Sequence, residues 1–202
     1  LEAVLHARDR KWIAPVLCGR ALRDMSQDME VMGSEADIHT ARQQAFGLAH
    51  AEGSALVLDT GPLDPEFFSF LAGANRANSE KKTLSHVSIL RAPKDGRLTL
   101  LTDPLIDHPS NNIREKIAVT ENAIRAAKAL GIEAPKMAAL SALELINPAI
   151  PSTVEAAVLS KMSSRGQFGN TIIEGPLAMD NAESASAAEH KGINSPVPGD
   201  VD

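Results

Sequence analysis

Short apolar runs alternate with longer segments of helical spacing along most of the 202-residue chain. Runs of strand length are predicted at residues 13–19, 55–58, 84–90, 98–102, 137–140 and 171–173. Helices are predicted at residues 1–12, 37–53, 113–130, 151–162 and 182–190, with a further one opening at Asp64. Strands that alternate with helices are typical of a mostly parallel sheet with helices on both faces. The pattern therefore predicts an α/β fold.

One pair of strands departs from this alternation. Residues 84–90 and 98–102 are separated only by a short segment that contains Pro93, Lys94, Asp95 and Gly96. A tight turn between two apolar runs predicts an antiparallel hairpin. The polar segment at residues 75–83 precedes it and is the best candidate for a linker. We therefore predict two domains, with residues 1–83 forming part of a first α/β domain and residues 84–202 a second.

Composition excludes several classes of protein. The net charge is −6 and the lysines and arginines are not clustered, so we expect no nucleic-acid partner. No apolar run approaches the length of a membrane span, and we expect no membrane association. Cys18 is the single cysteine, which excludes an internal disulfide and fits a reducing cytoplasm. Neither zinc-ligand spacing nor a glycine-rich nucleotide loop occurs, and we expect no bound metal.

Polar groups follow most of the predicted strands. Because parallel strands end at one edge of a sheet, groups at their carboxyl ends converge on a common crevice. The groups concerned are Asp59-Thr60-Gly61, Thr102-Asp103, Ser141 with Glu144, Glu174-Gly175-Pro176, and Asn194-Ser195.

Thr102 and Asp103 allow two interpretations. A hydroxyl beside a carboxylate can position a phosphate or thiol and accept a proton. Alternatively, Asp103 caps the strand end by accepting hydrogen bonds from backbone N–H groups. Ser85 and His86 precede the same hairpin, but adjacent side chains on a strand point to opposite faces. We therefore interpret His86 as a packed or hinge histidine and not as the base of a nucleophilic serine.

The run NTIIEGPLAMDNA, residues 170–182, combines a buried strand with acid and amide groups. Gly175 permits a close backbone approach and Pro176 stiffens the predicted turn after the strand. Asp180 either faces the cleft or caps a helix that begins at Ala182. Asn181 stands beside it as a second candidate.

This run, the upstream MAALSALELINPAIPSTVEAAVLSKMSSRGQ and the downstream HKGINSPVPGD resemble the phosphate acetyltransferase/phosphate butyryltransferase family, more closely its butyryl branch. The resemblance is dense over residues 137–200 and thinner before Leu84. It implies a three-layer α/β/α fold with two subdomains and a cleft, like that of isocitrate and isopropylmalate dehydrogenases. It also implies acyl transfer between CoA and inorganic phosphate by a cytoplasmic homodimer, with CoA as a substrate and no bound cofactor.

The resemblance also indicates site residues and departures from the family pattern. It implies substrate-binding roles for Thr102, Asp103, Gly175, Pro176, Asp180, Asn181 and Ser195. Asp59 stands where many members have a Lys-Gly pair, and Asp107 where an asparagine is usual. Both changes place negative charge near anionic substrates, which favours an alternative: a divergent, non-catalytic CoA- or phosphate-binding domain. A dehydrogenase of the same architecture is disfavoured, because neither a nicotinamide site nor a metal-binding aspartate cluster is visible.

The family carries a Ser-Arg pair with a nearby aspartate close to its C-terminus, and residues 1–202 contain no such motif. We therefore expect a fragment truncated at both ends and inactive as it stands, with no catalytic residue assigned. Acyl phosphate formation by residues 1–202 alone is the result that contradicts this expectation.

Overall fold

The computed structural model describes residues 16–18, 30–32, 40–45, 65, 67, 69, 71, 83–91, 96–104 and 112–202. The chain divides into two compact units, Leu1–Leu71 and Ala72–Asp202. The division predicted after Thr83 falls inside the second unit. The helix predicted at residues 1–12, the strand at 55–58, and both Asp59 and Asp107 lie outside the described residues.

The first unit contains a parallel pair of short strands. β1 (Val16–Cys18) pairs with β2 (Glu30–Met32), with Val16 opposite Glu30. β1 confirms a strand in residues 13–19, whereas β2 was not predicted, because three residues that include a charged one carry no usable pattern. Residues 40–45 are helical, and so are the described positions between 65 and 71, as predicted.

Within this unit, a buried arginine packs on an aromatic ring. The Arg42 side chain is 4% exposed, and its guanidinium carbon lies 4.5 Å from the centre of the Phe67 ring. A cation over the face of a ring is attracted by the ring's quadrupole. The contact joins the helical residues 40–45 to the helical segment that contains Phe67.

The second unit opens with the predicted hairpin. β3 (Val87–Arg91) and β4 (Leu98–Thr102) are antiparallel, with Val87 opposite Thr102 and Arg91 opposite Leu98. Gly96 has φ of +71°, a left-handed conformation that glycine adopts without steric cost. The hairpin prediction is confirmed.

The first long helix, α1 (Ile113–Ala129), has a side-chain cap at its start. Asn112 Oδ1 accepts a hydrogen bond from the Arg114 N–H at 3.1 Å, which satisfies one of the helix's free amide groups. Ile124 is buried, and Ile113 and Ile117 pack against the same core. Leu130 is the C-cap residue and is 54% exposed, so the helix ends one residue before the predicted boundary.

A β-α-β unit forms the rest of the core. β5 (Lys136–Leu140) and β6 (Ile172–Leu177) are parallel, and α2 (Pro151–Ser164) connects them, as parallel pairing requires. The two strands and the helix were predicted, although β6 begins one residue later than expected and ends four residues later. The buried cluster between these elements and α1 consists of Ile124, Leu159, Phe168 and Ile173.

β6 continues through the glycine and proline that were expected to end it. Ala138 is opposite Glu174, and Leu140 is opposite Leu177, so β6 holds one residue more than β5 over this interval. Such a bulge accommodates a residue that cannot donate a ladder hydrogen bond, as Pro176 cannot. The prediction of a Gly175-Pro176 turn after the strand is therefore wrong, and the peptide bond between them is cis.

Two short helices follow β6 in place of the single one predicted at residues 182–190. α3 (Met179–Glu183) and α4 (Ala185–His190) are separated by Ser184, whose backbone is extended. The Ser184 hydroxyl accepts a hydrogen bond from the Ala187 N–H at 3.3 Å. Serine thus starts the second helix as its N-cap and interrupts the first.

The last residues connect the hairpin to the β-α-β unit. The Leu100 N–H donates to the Asp202 carbonyl at 2.6 Å, and the Asp202 N–H donates to the Lys136 carbonyl at 2.9 Å. The described residues thus form a mixed α/β structure with two parallel strand pairs and one antiparallel pair, which confirms the predicted class at this level. Among them, no helix combines the length and apolar character needed to cross a membrane.

Candidate functional site

The carboxyl ends of β5 and β6 stay joined beyond their last paired residues. The Ser141 N–H donates to the Leu177 carbonyl at 2.8 Å, and the Ser141 hydroxyl lies 2.8 Å from that of Ser152 in α2. Ser141 therefore anchors the start of the segment 141–150, which we call the β5–α2 loop. The Asn147 N–H donates to Thr153 Oγ1 at 2.9 Å and anchors the loop again near its end.

A lysine links this loop to the helix after β6. Lys191 Nζ lies 3.4 Å from Glu144 Oε1 in the β5–α2 loop and 3.1 Å from Asp180 Oδ2 in the first turn of α3. We call Glu144, Asp180 and Lys191 the ion trio. The hydrogen bond from Lys191, aided by its charge, lowers the pKa of Asp180, and the hydrogen bond to Asp180, followed by that to Glu144, raises the pKa of Lys191.

These shifts predict how the trio contributes to stability at different pH values. The lowered Asp180 pKa stabilises the fold above the ordinary aspartate value of about 3.9, and this contribution disappears as the pH falls through the folded-state pKa. The raised Lys191 pKa stabilises the fold below about 10.4, and this contribution disappears as the pH rises through its folded-state value. In Lys191→Met, the Asp180 pKa measured by NMR is expected to return to the ordinary range. An unchanged Asp180 pKa would contradict the contact.

Asp180 does not cap a helix that begins at Ala182. The helix begins at Met179 with Ala178 as its N-cap, and Asp180 lies within the first turn, half exposed. The interpretation of Asp180 as the N-cap of a helix is therefore wrong, because the helix begins before Asp180 and not at Ala182. The Asp180 carboxylate is directed to Lys191, at the carboxyl edge of the sheet.

Asn181 is the least expected residue of this region, because its side chain is fully buried. Among the described residues, neither Oδ1 nor Nδ2 of its amide has a hydrogen-bond partner. A buried polar group without a partner costs about 1–3 kcal/mol of stability. An apolar side chain of similar size at this position would fill the same space without an unpaired amide group.

The substitution Asn181→Leu is accordingly expected to leave the free energy of unfolding unchanged or to increase it by about 1 kcal/mol, because the unmade hydrogen bonds are removed. Asn181→Asp is expected to reduce it by several kcal/mol, since a carboxylate would be buried without a described partner. Urea unfolding measures both changes. A loss above about 2 kcal/mol in Asn181→Leu would show that the amide makes stabilising hydrogen bonds.

Thr102 and Asp103 form hydrogen bonds to the segment that precedes β3. Thr102 Oγ1 donates to the His86 carbonyl at 2.9 Å, and the His86 N–H donates to Asp103 Oδ2 at 2.7 Å. The predicted capping of a backbone N–H by Asp103 is thus observed. The His86 ring is partly buried, with Nδ1 unpaired among the described residues, which fits a packed histidine.

Gly175 and Pro176 pack against neighbouring elements of the protein. A Cβ atom on Gly175 would lie 2.7 Å from Ala139 Cβ and 3.2 Å from Ala156 Cβ. The close approach that Gly175 permits is therefore between β6, β5 and α2. Pro176 is buried in the same layer.

Ser195 makes a local hydrogen bond, since its hydroxyl accepts from the Val197 N–H at 3.3 Å. The described contacts join Ser141 to Leu177, and Glu144 to Asp180 through Lys191. The side-chain bond described for Thr102 goes to His86, directly before β3, and that for Ser195 stays within its own turn. Convergence of all the predicted groups on one crevice stays a prediction.

Lys191 was not among the candidates from the sequence. The available signal was a basic residue at the end of the helical segment after β6, within reach of the acids that follow β5 and β6. In the part of the chain that the structure describes, no group of three or more histidine, cysteine, aspartate or glutamate side chains is arranged to hold a metal ion.

The sequence is similar to those of several phosphate acyltransferases. A phosphate butyryltransferase of Clostridium acetobutylicum is 47% identical over 122 residues, which cover 60% of this chain and 40% of that protein. A phosphate acetyltransferase of Rhizobium meliloti is 38% identical over 163 residues, 80% of this chain and 51% of that protein. The chain thus spans about half the length of the curated relatives it matches.

A solved structure with a similar fold is also that of a phosphotransacylase. The crystal structure of a branched-chain phosphotransacylase from Enterococcus faecalis V583 superimposes with a TM-score of 0.68 at 30% identity, covering 86% of this chain and 61% of that one. Residues 75–202 match the family model described as phosphate acetyl/butaryl transferase. Because that match includes more than half of the sequence, the chain belongs to the phosphate acetyltransferase/phosphate butyryltransferase family.

Proposed function

We propose that the protein containing this chain transfers a short acyl group, butyryl in preference to acetyl, between CoA and inorganic phosphate. The observation that carries the proposal is the family match over residues 75–202, which include β3 to β6 and the candidate site. The 47% identity to a phosphate butyryltransferase supports the butyryl preference. A residue-level resemblance of this density supports function as well as fold, whereas a shared fold alone would not.

The proposed chemistry is an acyl substitution. A phosphate oxygen attacks the thioester carbon, the C–S bond breaks, and an acyl phosphate and CoA are produced. The proton lost from phosphate is balanced by the one that the CoA thiolate takes up. Such a step requires two anionic substrates to be held together and negative charge to be stabilised on the carbonyl oxygen.

Within this proposal, Thr102 and Asp103 contact substrate at the end of β4, and Asp180 and Ser195 line the cleft after β6. The hydrogen bonds of Thr102 and Asp103 to His86 hold the first pair in place. Gly175, Pro176 and Asn181 are buried or partly buried, and we assign them to the support of the cleft wall. No residue of this chain is proposed as the catalytic base.

The proposal also includes the architecture, the oligomeric state and the cellular location of the enzyme. We propose a three-layer α/β/α architecture of the isocitrate dehydrogenase kind, supported by the similarity in fold to the branched-chain phosphotransacylase. We also propose a homodimer and a cytoplasmic location, which the resemblance to the family implies. Light scattering during gel filtration tests the dimer, and a mass of one subunit would contradict it.

The reaction as proposed uses no metal or redox cofactor, and CoA takes part as a substrate. We therefore expect EDTA to leave the initial rate of acyl transfer unchanged within the error of the assay. A loss of rate that a divalent cation restores would contradict this part of the proposal.

The function is tested by phosphate-dependent release of CoA thiol from butyryl-CoA, using protein expressed from its complete gene. We expect thiol release that saturates with phosphate and is absent without it. Thiol release at the same rate without phosphate would indicate a thioesterase. Binding of CoA in calorimetry without thiol release would indicate the non-catalytic alternative.

A further inference from the structure

The β5–α2 loop carries its apolar side chains on the outside. Leu143, Leu145 and Ile146 are 42%, 74% and 62% exposed, so this part of the loop has little burial of its own to hold it. Between the anchors at Ser141 and Asn147, the described side-chain contact is the ion pair of Glu144 with Lys191. Among the described hydrogen bonds and ion pairs, the one to Lys191 is therefore the contact that joins the middle of the loop to another segment.

Lys191 connects segments that are distant in sequence. Glu144 follows β5, Asp180 follows β6, and Lys191 follows α4 as its C-cap. An isolated exposed ion pair contributes little to stability, but a lysine shared between two carboxylates also separates two like charges. Both carboxylates lie within 3.4 Å of the same nitrogen, so its removal leaves them facing one another.

The trio also determines the local charge. One ammonium and two carboxylates carry a net charge of −1 at neutral pH, which becomes −2 if Lys191 is replaced by a neutral residue. Phosphate and CoA are both anions, and an added negative charge nearby opposes their approach. At the carboxyl edge of the parallel pair, where ligands of open α/β sheets bind, this difference acts on substrate affinity.

We propose that Lys191 is a positioning residue that fastens the β5–α2 loop to α3 and keeps the negative charge of this edge low enough for anionic substrates to bind. The effect of Lys191 on substrate binding rests on the proposed function, whereas its role in fastening the loop does not. Lys191 makes no contact with the reacting atoms in this proposal. It acts through Glu144 and Asp180.

The first test measures amide hydrogen exchange in Lys191→Met and in a matched control, Lys136→Met. Lys136 pairs with Asp200 at 2.5 Å at the amino end of β5, with similar exposure of the lysine. We expect exchange of the hydrogen-bonded amides at the two ends of the loop and in α3, those of Ser141, Asn147, Asn181 and Ala182, to accelerate severalfold in Lys191→Met and to stay unchanged in Lys136→Met. Lys191→Arg is expected to restore the slow exchange. Equal exchange in the wild type and Lys191→Met overturns the fastening role.

The second test compares steady-state kinetics of the same variants with butyryl-CoA and inorganic phosphate. Lys191→Met is expected to raise the KM for phosphate roughly threefold to tenfold at low salt, with kcat changed by less than about twofold. The effect is expected to shrink as ionic strength rises, because the trio is partly exposed. An unchanged KM, or a loss confined to kcat, overturns the effect on substrate binding.

The two tests separate this inference from the proposed function. If the wild-type protein lacks phosphate-dependent acyl transfer, the proposed function fails and the effect on substrate binding fails with it. The hydrogen-exchange comparison still decides whether Lys191 fastens the loop.

Discussion

Replacing Gly175 by alanine is expected to reduce the free energy of unfolding by about 3 kcal/mol. The new Cβ would lie 2.7 Å from Ala139 Cβ and 2.8 Å from the Ala139 carbonyl oxygen, and the latter belongs to the backbone of β5. Neither atom is the end of a flexible side chain, so β6 must shift away from β5 and α2. Urea unfolding of the wild type and the variant measures the loss.

Gly166→Ala serves as the matched control, because a Cβ there meets no atom within 4 Å. Its φ of +75° makes the substitution cost about 1–2 kcal/mol through backbone strain alone. A Gly175→Ala variant no less stable than Gly166→Ala would show that β6 is not packed as tightly as the structure indicates.

Leu177→Ala is expected to cost about 2–5 kcal/mol, because the Leu177 side chain is completely buried and its removal leaves a cavity. The backbone carbonyl of Leu177 still accepts the Ser141 N–H bond, so the change isolates side-chain packing. Thermal or urea unfolding gives the difference.

Leu145→Ala removes the same atoms from a side chain that is 74% exposed and should cost less than about 0.5 kcal/mol. Similar losses in Leu177→Ala and Leu145→Ala would contradict the assignment of Leu177 to the core at the carboxyl edge.

Elements with strong local signals were predictable from the sequence. The hairpin of β3 and β4 follows from two apolar runs and a Gly96 turn, and α1 follows from its periodic isoleucines. The connection from β5 through α2 to β6 was also visible, because Pro151 marks the helix start. In these places local preference and tertiary packing favour the same structure.

Elements whose local signals conflict with packing were predicted wrongly. Gly175 and Pro176 usually end a strand, but here the bulge opposite Ala138 and Leu140 keeps both inside β6. Ser184 looked like an ordinary helical residue, and only its bond to Ala187 shows that it caps a second helix. A single sequence does not reveal which partner a residue meets across the sheet.

In the candidate site, too, the contacts between distant residues were not predictable from the sequence. Asp180 and Asn181 were identified from their position after a strand, but their neighbours in the chain do not indicate that one is half exposed and the other fully buried. Lys191 was missed because its importance comes from two partners on separate segments. Thr102 and Asp103 were predictable as polar groups at a strand end, while their shared partner His86 was not.

Phosphorus NMR of the reaction products tests the central claim most directly. Protein from the complete gene is incubated with butyryl-CoA and inorganic phosphate, and free thiol is measured in parallel. We predict an acyl phosphate signal that grows in proportion to the thiol released, because each C–S bond broken forms one bond to phosphate. Release of thiol with no acyl phosphate signal, or no reaction at all, would contradict the assignment of acyl transfer to phosphate.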